Sequence, residues 1–236
     1  MFTTRDEHSG DPVYHKLRRL IIEGYYPPET RLVEEKLAHD FGVSRTPIRQ
    51  ALARVAAEGL IHTYPNRGAV VCSFTRKDLI QTFDLRAVLE GYAAQQAAQH
   101  IDQQQLERLE QLAGLLEATE ERTFDSREET VHFLVEHNQH FHSIIVSASQ
   151  NRRLSNMLTV VVDVPMQFRS FYWYTDDERR VSNFFHRSIL SALHRRDGER
   201  ARAMMQEHIY RGRDFLLQRI DTINTTASAQ VSQEIP

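Results

Sequence analysis

The chain has 236 residues, 41% hydrophobic and 26% charged, with a net charge of −3, which fits a soluble globular protein of one or two domains and excludes a uniformly basic nucleic-acid coat. Its one cysteine, Cys72, excludes an internal disulfide and fits a reducing compartment. The polar opening MFTTRDEHSGDP has no signal core, and no run reaches the ~20 apolar residues that cross a bilayer, so a cytoplasmic protein without membrane contact is expected.

Residues 13–23 space Val13, Leu17, Leu20 and Ile21 on one helical face, and Gly24 stops the run. Pro27 and Pro28 impose an extended connection. A second helix is expected over 33–41, ended by Gly42. Ser44 is placed to cap a third, with Pro47 in its first turn, running through Ile48, Leu52 and Val55 to Gly59. Residues 61–64 and 69–73 read as short strands around the turn sequence PNRG at 65–68. Helix, turn, helix and hairpin is the order of a winged helix-turn-helix, whose second helix meets base edges with its N-terminal side chains. That start reads Ser44, Arg45, Thr46, Pro47, Ile48, Arg49, Gln50, with Arg45, Thr46, Arg49 and Gln50 facing outward and Arg67 and Gly68 at the hairpin tip. Up to Arg76, 11 Lys and Arg stand against 9 Asp and Glu, and in the remainder 18 stand against 23. A slightly basic head on an acidic body permits a localised DNA site.

Composition changes at residues 72–76, from Pro- and Gly-bearing segments to long stretches of Leu, Ala, Gln, Glu and Arg. Six helices are expected, over 76–100, 102–122, 126–148, 151–173, 176–195 and 197–221, with Pro165 kinking or breaking the fourth. The fold class is therefore mainly α, an N-terminal winged helix-turn-helix followed by an all-α antiparallel bundle. The expected domains are 8–75 for DNA binding, 76–222 for effector and metal binding and dimerisation, and 223–236 as a flexible tail.

Helical phase sorts the 12 histidines. In 126–148, Asn138 and His142 lie four residues apart on the apolar stripe of Val131, Leu134, Val135, Phe141, Ile144 and Ile145, while His137 and His140 fall at its margins. In 176–195 the stripe includes Val181, Phe185, Ile189 and Leu193, with His186 on its edge. In the last helix His208 lies within the stripe of Ala201, Met205, Ile209, Phe215 and Leu216. Three helices thus each direct an imidazole into one bundle interior, as metal-binding bundles do. Three neutral imidazoles and an oxygen donor suit zinc, with nickel or manganese as the other candidates.

The segment RLVEEKLAHDFGVSRTPIRQALARVAAEGLI with NRGAVV resembles the DNA-binding domain of the GntR family of regulators, over residues 14–71. The resemblance implies DNA contacts by Arg31, Arg45, Arg49 and the wing-tip Gly68. Glu29 stands where many members carry Gly, and Gln50 where many carry Glu. DLRAVLEGYAAQQAA, NQHFHSIIVSASQNRRL and FFHRSILSALHRRDGERARAMMQEHI resemble the FCD effector domain of the FadR branch, and six helices place the chain nearer the VanR-type subgroup. That resemblance implies metal ligation by Asn138, His142, His186 and His208, with Asn138 where Asp is common, and an effector contact by Arg86. Together these imply a ligand-responsive repressor, not an enzyme. It would bind an inverted-repeat operator in double-stranded DNA as a homodimer and be released by a small carboxylate bound near the metal. Two rival readings stand beside it: a metal-free regulator sensing a larger apolar ligand such as an acyl thioester, and a metal-dependent hydrolase fused to a DNA-binding head.

Overall fold

A computed structural model describes residues 12–22, 25–26, 29–57, 59–64, 68–72, 75–120, 122, 124–161, 171 and 174–229. The chain divides between residues 74 and 75 into two compact units, and the last helix from Ile220 groups with the first.

In the first unit, α1 (Pro12–Ile22), α2 (Glu34–Phe41) and α3 (Arg45–Ala57) pack around one apolar centre. Leu17 and Ile21 from α1, Leu37 from α2, and Ile48, Ala51, Leu52 and Val55 from α3 are all buried there. The turn after α2 is tight because Gly42 takes a left-handed φ of 64°, which a Cβ would oppose. Its N–H donates to His39 O, and the Val43 N–H donates to Ala38 O, so the helix end leaves few orphan carbonyls.

Three strands follow the order β1-β3-β2: β1 (Arg31–Leu32), β2 (Ile61–Tyr64) and β3 (Gly68–Val71), all antiparallel. Sequence reading gave no sign of β1, since two residues show no alternation. It forms where the Val71 N–H donates to Thr30 O and the Glu29 N–H to Val71 O, each at 3.0 Å. Of the expected hairpin tip, Gly68 begins β3, while Arg67 lies outside the described residues.

Glu29, at this junction, has a φ of 67°, in the region glycine occupies at no steric cost and other residues enter at a penalty. Glu29→Gly relieves that strain, partly offset by the larger entropy of an unfolded glycine. The expected net change is a stabilisation of about 0.5–1 kcal/mol, read as a higher melting temperature. An unchanged or lower one would show that the Glu29 side chain outweighs its backbone.

The second unit holds the α-helices α4 (Arg76–His100), α5 (Gln103–Glu117), α6 (Arg127–Ala148), α7 (Arg152–Val161) and α8 (Asp176–His194), and α9 (Gly198–Ala229) as far as Arg219. Thr75, Asp102 and Thr175 begin α4, α5 and α8 with reciprocal capping boxes, which satisfy the first free N–H groups of each helix. Helix α5 stops at Glu117 and a short 3-10 turn carries the chain to Glu120, earlier than the expected end at 122. The fourth expected helix is described at Arg152–Val161 and at Phe171. Pro165, and with it the helix count behind the VanR-type likeness, lies outside the described residues. Helix α9 continues past 221 to Ala229, and no glycine or proline interrupts the Thr- and Ala-bearing segment there. No helix among the described residues is long and apolar enough to cross a membrane.

The core of this unit takes Leu109, Leu112 and Leu116 from α5, Phe141 and Ile145 from α6, Ile189 and Leu193 from α8, and Met205 from α9. Helix α4 contributes the buried small residues Ala87, Ala93, Ala94, Ala97 and Ala98. Arg187 on α8 ties to Glu117 on α5 by two bonds, from Nε at 2.7 Å and Nη2 at 2.6 Å.

Candidate metal centre and nucleic-acid interface

Helix α6 brings Asn138 and His142 to one buried face, one turn apart. His137 and His140 are not part of it. His137 stacks on Phe133 at 3.8 Å and its Nδ1 meets the Phe133 carbonyl at 2.8 Å, while His140 is exposed. On α8 the expected phase needs correction. Val181 is 42% exposed and His186 only 1%, so the inward stripe runs through Ser182, Phe185, His186 and Ile189 and His186 sits at its centre. Val181 was a misleading guide because an exposed valine satisfies an apolar pattern as well as a buried one. His208 on α9 is half-buried.

Ring nitrogens of His142, His186 and His208 lie within 4.8 Å of one another, and His142 Nε2 is 3.3 Å from His208 Nε2. Glu90 fixes the orientation of the His142 ring. Its Oε2 lies 2.5 Å from His142 Nδ1, so Nδ1 donates to the carboxylate and Nε2 is turned towards His208. A carboxylate behind a ligating histidine fixes the ring and raises its basicity. Burial opposes the charge on Glu90, but Arg86, bonded from Nε at 2.8 Å, and His142 outweigh it and hold its carboxyl at about 2. Desolvation foremost, with the neighbouring imidazoles, pushes His186 and His208 well below the ordinary histidine range. These rings are therefore neutral, the form that ligates a metal.

Among the described residues, Asn138 Oδ1 and both ring nitrogens of His186 are buried with no hydrogen-bond partner. Buried polar atoms normally find one, and leaving them unpaired costs stability. Ring nitrogens gathered from three imidazoles, with the unpartnered Asn138 amide oxygen on the wall of the adjoining cavity, fit a divalent cation. A cavity of about 40 Å³ beside them is lined by Arg86, Asn138, His142, Tyr174, Ser182 and His208, among others. A larger one, about 230 Å³, shares Tyr174, Ser182, His208 and Gly212 with it.

The expected DNA-facing residues divide as helical phase requires. Arg45, Thr46, Arg49 and Gln50 are exposed on α3, opposite the buried Ile48 and Leu52, with Ser44 exposed just before the helix. Arg31 is exposed on β1 and its Nε approaches Gly68, which has a φ of 80°, so the sheet brings Arg31 to the base of the wing. Two acidic residues escaped sequence reading. Glu90 stands four residues after Arg86, the spacing of an ion pair inside an otherwise apolar stripe, which was a usable signal. Glu34 carries the carboxylate nearest Arg45 and Arg49, and its distance along the chain gave no signal.

Residues 10–71 match the family described as bacterial regulatory proteins, gntR family, and residues 81–211 match the FCD domain. The chain is 32% identical to the HTH-type transcriptional regulator YdhC of Bacillus subtilis, across 83% of this chain and 85% of that one. It is 42% identical to the gluconate operon transcriptional repressor of Bacillus licheniformis over a shorter stretch, 36% of this chain and 34% of that one. Among solved structures, Lar of Listeria monocytogenes, which controls expression of the agr system, superposes with a TM-score of 0.61 at 22% identity, covering 97% of this chain and 99% of that one. That likeness is one of fold.

Proposed function

From the premise that this chain belongs to the GntR family of bacterial regulatory proteins and carries an FCD domain, we propose that it is a repressor whose hold on DNA is set by a small carboxylate bound beside a divalent metal. The family's members are DNA-binding transcription regulators, not enzymes. Residues 8–75 are assigned to DNA binding and 76–222 to effector binding.

The observation that carries the metal reading is the set of unpaired buried ligand atoms, the two nitrogens of His186 and Oδ1 of Asn138, beside Nε2 of His142. We assign Asn138, His142, His186 and His208 as the ligands, with zinc the best match and nickel or manganese the others. When bound, the ion supplies a fixed positive charge that a carboxylate can meet. Arg86 lines the same small cavity and offers a second cationic contact, its Nε side already anchored by Glu90. The cavity sizes favour a small head group against Arg86 and a short remainder reaching the larger cavity. The larger cavity includes Glu178, Arg211 and Asp214, so a long apolar chain there would desolvate charge.

A ligand changes DNA affinity only by preferring one arrangement of the protein, and reorientation of the DNA-binding units is the proposed route. Dimer symmetry would match an inverted-repeat operator. In support, Leu85, Val88 and Tyr92 form an exposed apolar stripe on α4, flanked by exposed Gln81 and Gln99 and, towards the helix start, by the opposite charges of Lys77 and Asp78. An exposed apolar stripe of this kind is a surface that two copies can share across a two-fold axis.

Metal-replete protein screened against small carboxylates should show a raised melting temperature with at least one, and that compound should release bound DNA in a gel shift. No hit among carboxylates, or equal hits on chelated protein, would refute the effector reading. Arg49→Ala should weaken binding to a duplex enriched by the wild-type protein by about tenfold or more, as loss of a base-reading arginine does. Unchanged affinity would remove Arg49 from the interface.

A further inference from the structure

The two arginines at the start of α3 are held by one carboxylate. Glu34, in the first turn of α2, accepts from Arg49 Nε at 3.1 Å and from Arg49 Nη2 at 2.9 Å, while its Oε2 also takes Arg45 Nη2 at 3.3 Å. The partners lie 15 and 11 residues away in the chain, so helix-local pairing does not explain the contact. Stability is a poor reason for it, since exposed ion pairs contribute little. A favourable charge at the N-terminus of α2 is a poor reason too, because Glu35 in the same turn supplies that as well.

A guanidinium has two edges that make paired hydrogen bonds. Glu34 occupies the side edge of Arg49, formed by Nε and Nη2. The end edge, formed by Nη1 and the second hydrogen of Nη2, faces away from the carboxylate. An end edge held in one orientation matches the O6 and N7 acceptors of guanine. At the same time one negative charge set between two positive ones removes part of the attraction that any DNA phosphate would feel.

We propose that Glu34 is a positioning residue that sets DNA specificity, by orienting Arg49 for base contact and by lowering the affinity of Arg45 and Arg49 for sequence-independent DNA. Hydrogen bonds from Arg49, foremost, and from Arg45 hold the Glu34 carboxyl below its ordinary range, so the clamp is charged at neutral pH. Such a device trades raw affinity for discrimination, which is what a regulator needs among many competing sites.

The test compares wild type and Glu34→Gln in the full-length protein. One probe is a duplex enriched by the wild-type protein from a randomised pool, and the other is an unrelated duplex of equal length. Gln keeps the length of the side chain and loses its charge. Binding of Glu34→Gln to the unrelated duplex should strengthen, with a salt dependence steeper by about one charge. The preference for the enriched duplex should fall by about tenfold. In an Arg49→Ala background the same change should alter that preference by less than about threefold, because the residue it positions is gone. An undiminished preference in Glu34→Gln, or an equal loss with and without Arg49, overturns the proposal. The inference rests on the DNA-binding reading, and the two fail differently. If no duplex is enriched, that reading falls, whereas an enriched duplex with unaltered preference removes only the role of Glu34.

Discussion

Glu90→Gln is expected to destabilise the helical unit by about 3–5 kcal/mol, the cost of leaving one partner of a buried ion pair uncompensated. Glu90 is 2% exposed and Arg86 7%, so neither charge has water to fall back on. The carboxylate meets both Arg86 Nε and His142 Nδ1, and a neutral amide serves neither as well. The loss should appear as a lower midpoint in urea, followed by a helical signal specific enough to track this unit. Replacing both members of the ion pair, Arg86→Met with Glu90→Leu, should recover most of the stability, since well-packed apolar residues often equal a buried pair. That recovery separates two roles. The double variant should fold and yet lose its response to carboxylate, because Arg86 is gone and His142 has lost the group that fixes its tautomer. Removing such an orienting partner typically lowers metal affinity by about 10–100-fold. If Glu90→Gln melts like wild type, the buried pair is not carrying the charge balance of the site.

The DNA-binding unit was legible because its signals are local. Gly42 and Gly59 mark helix ends, Pro47 marks a helix start, and the spacing of Ile48, Leu52 and Val55 fixes which face of α3 turns outward. β1 was not legible, since its two residues are ordered by partners some 40 positions away in β3, and a pairing over that distance leaves no local pattern. The histidines show the same division. Phase alone brought His142, His186 and His208 toward one interior, but placed His186 at an edge because Val181 was counted as core. Glu90 was missed for a different reason. A lone acid in an apolar stripe reads as a flaw in the pattern, and only the distances to Arg86 and His142 show it to be the group that orders the site. Glu34 lies further still from legibility, since both its partners belong to the next helix and its local role as a helix-start acid is sufficient to explain its presence.

His186→Leu gives the sharpest test of the metal centre, because its effect should change sign with metal. In the chelated protein the imidazole is buried with both nitrogens unpaired and gives up hydration without gaining a hydrogen bond. An apolar side chain of similar volume removes that penalty, so chelated His186→Leu should be more stable than chelated wild type by about 1–2 kcal/mol. With metal present the order should reverse. Wild type gains the binding free energy, about 2.7 kcal/mol at a hundredfold excess over the dissociation constant, and the variant, short of one ligand, gains little. Metal content measured on the same samples should fall from near one ion per chain to a small fraction. His140→Ala serves as the control, since that histidine is exposed on α6 and should change neither quantity. A Leu variant that keeps a full complement of metal would show that the ion sits elsewhere. A Leu variant that destabilises chelated and metal-loaded protein alike would show that His186 is a packing residue, its nitrogens satisfied by something other than a cation.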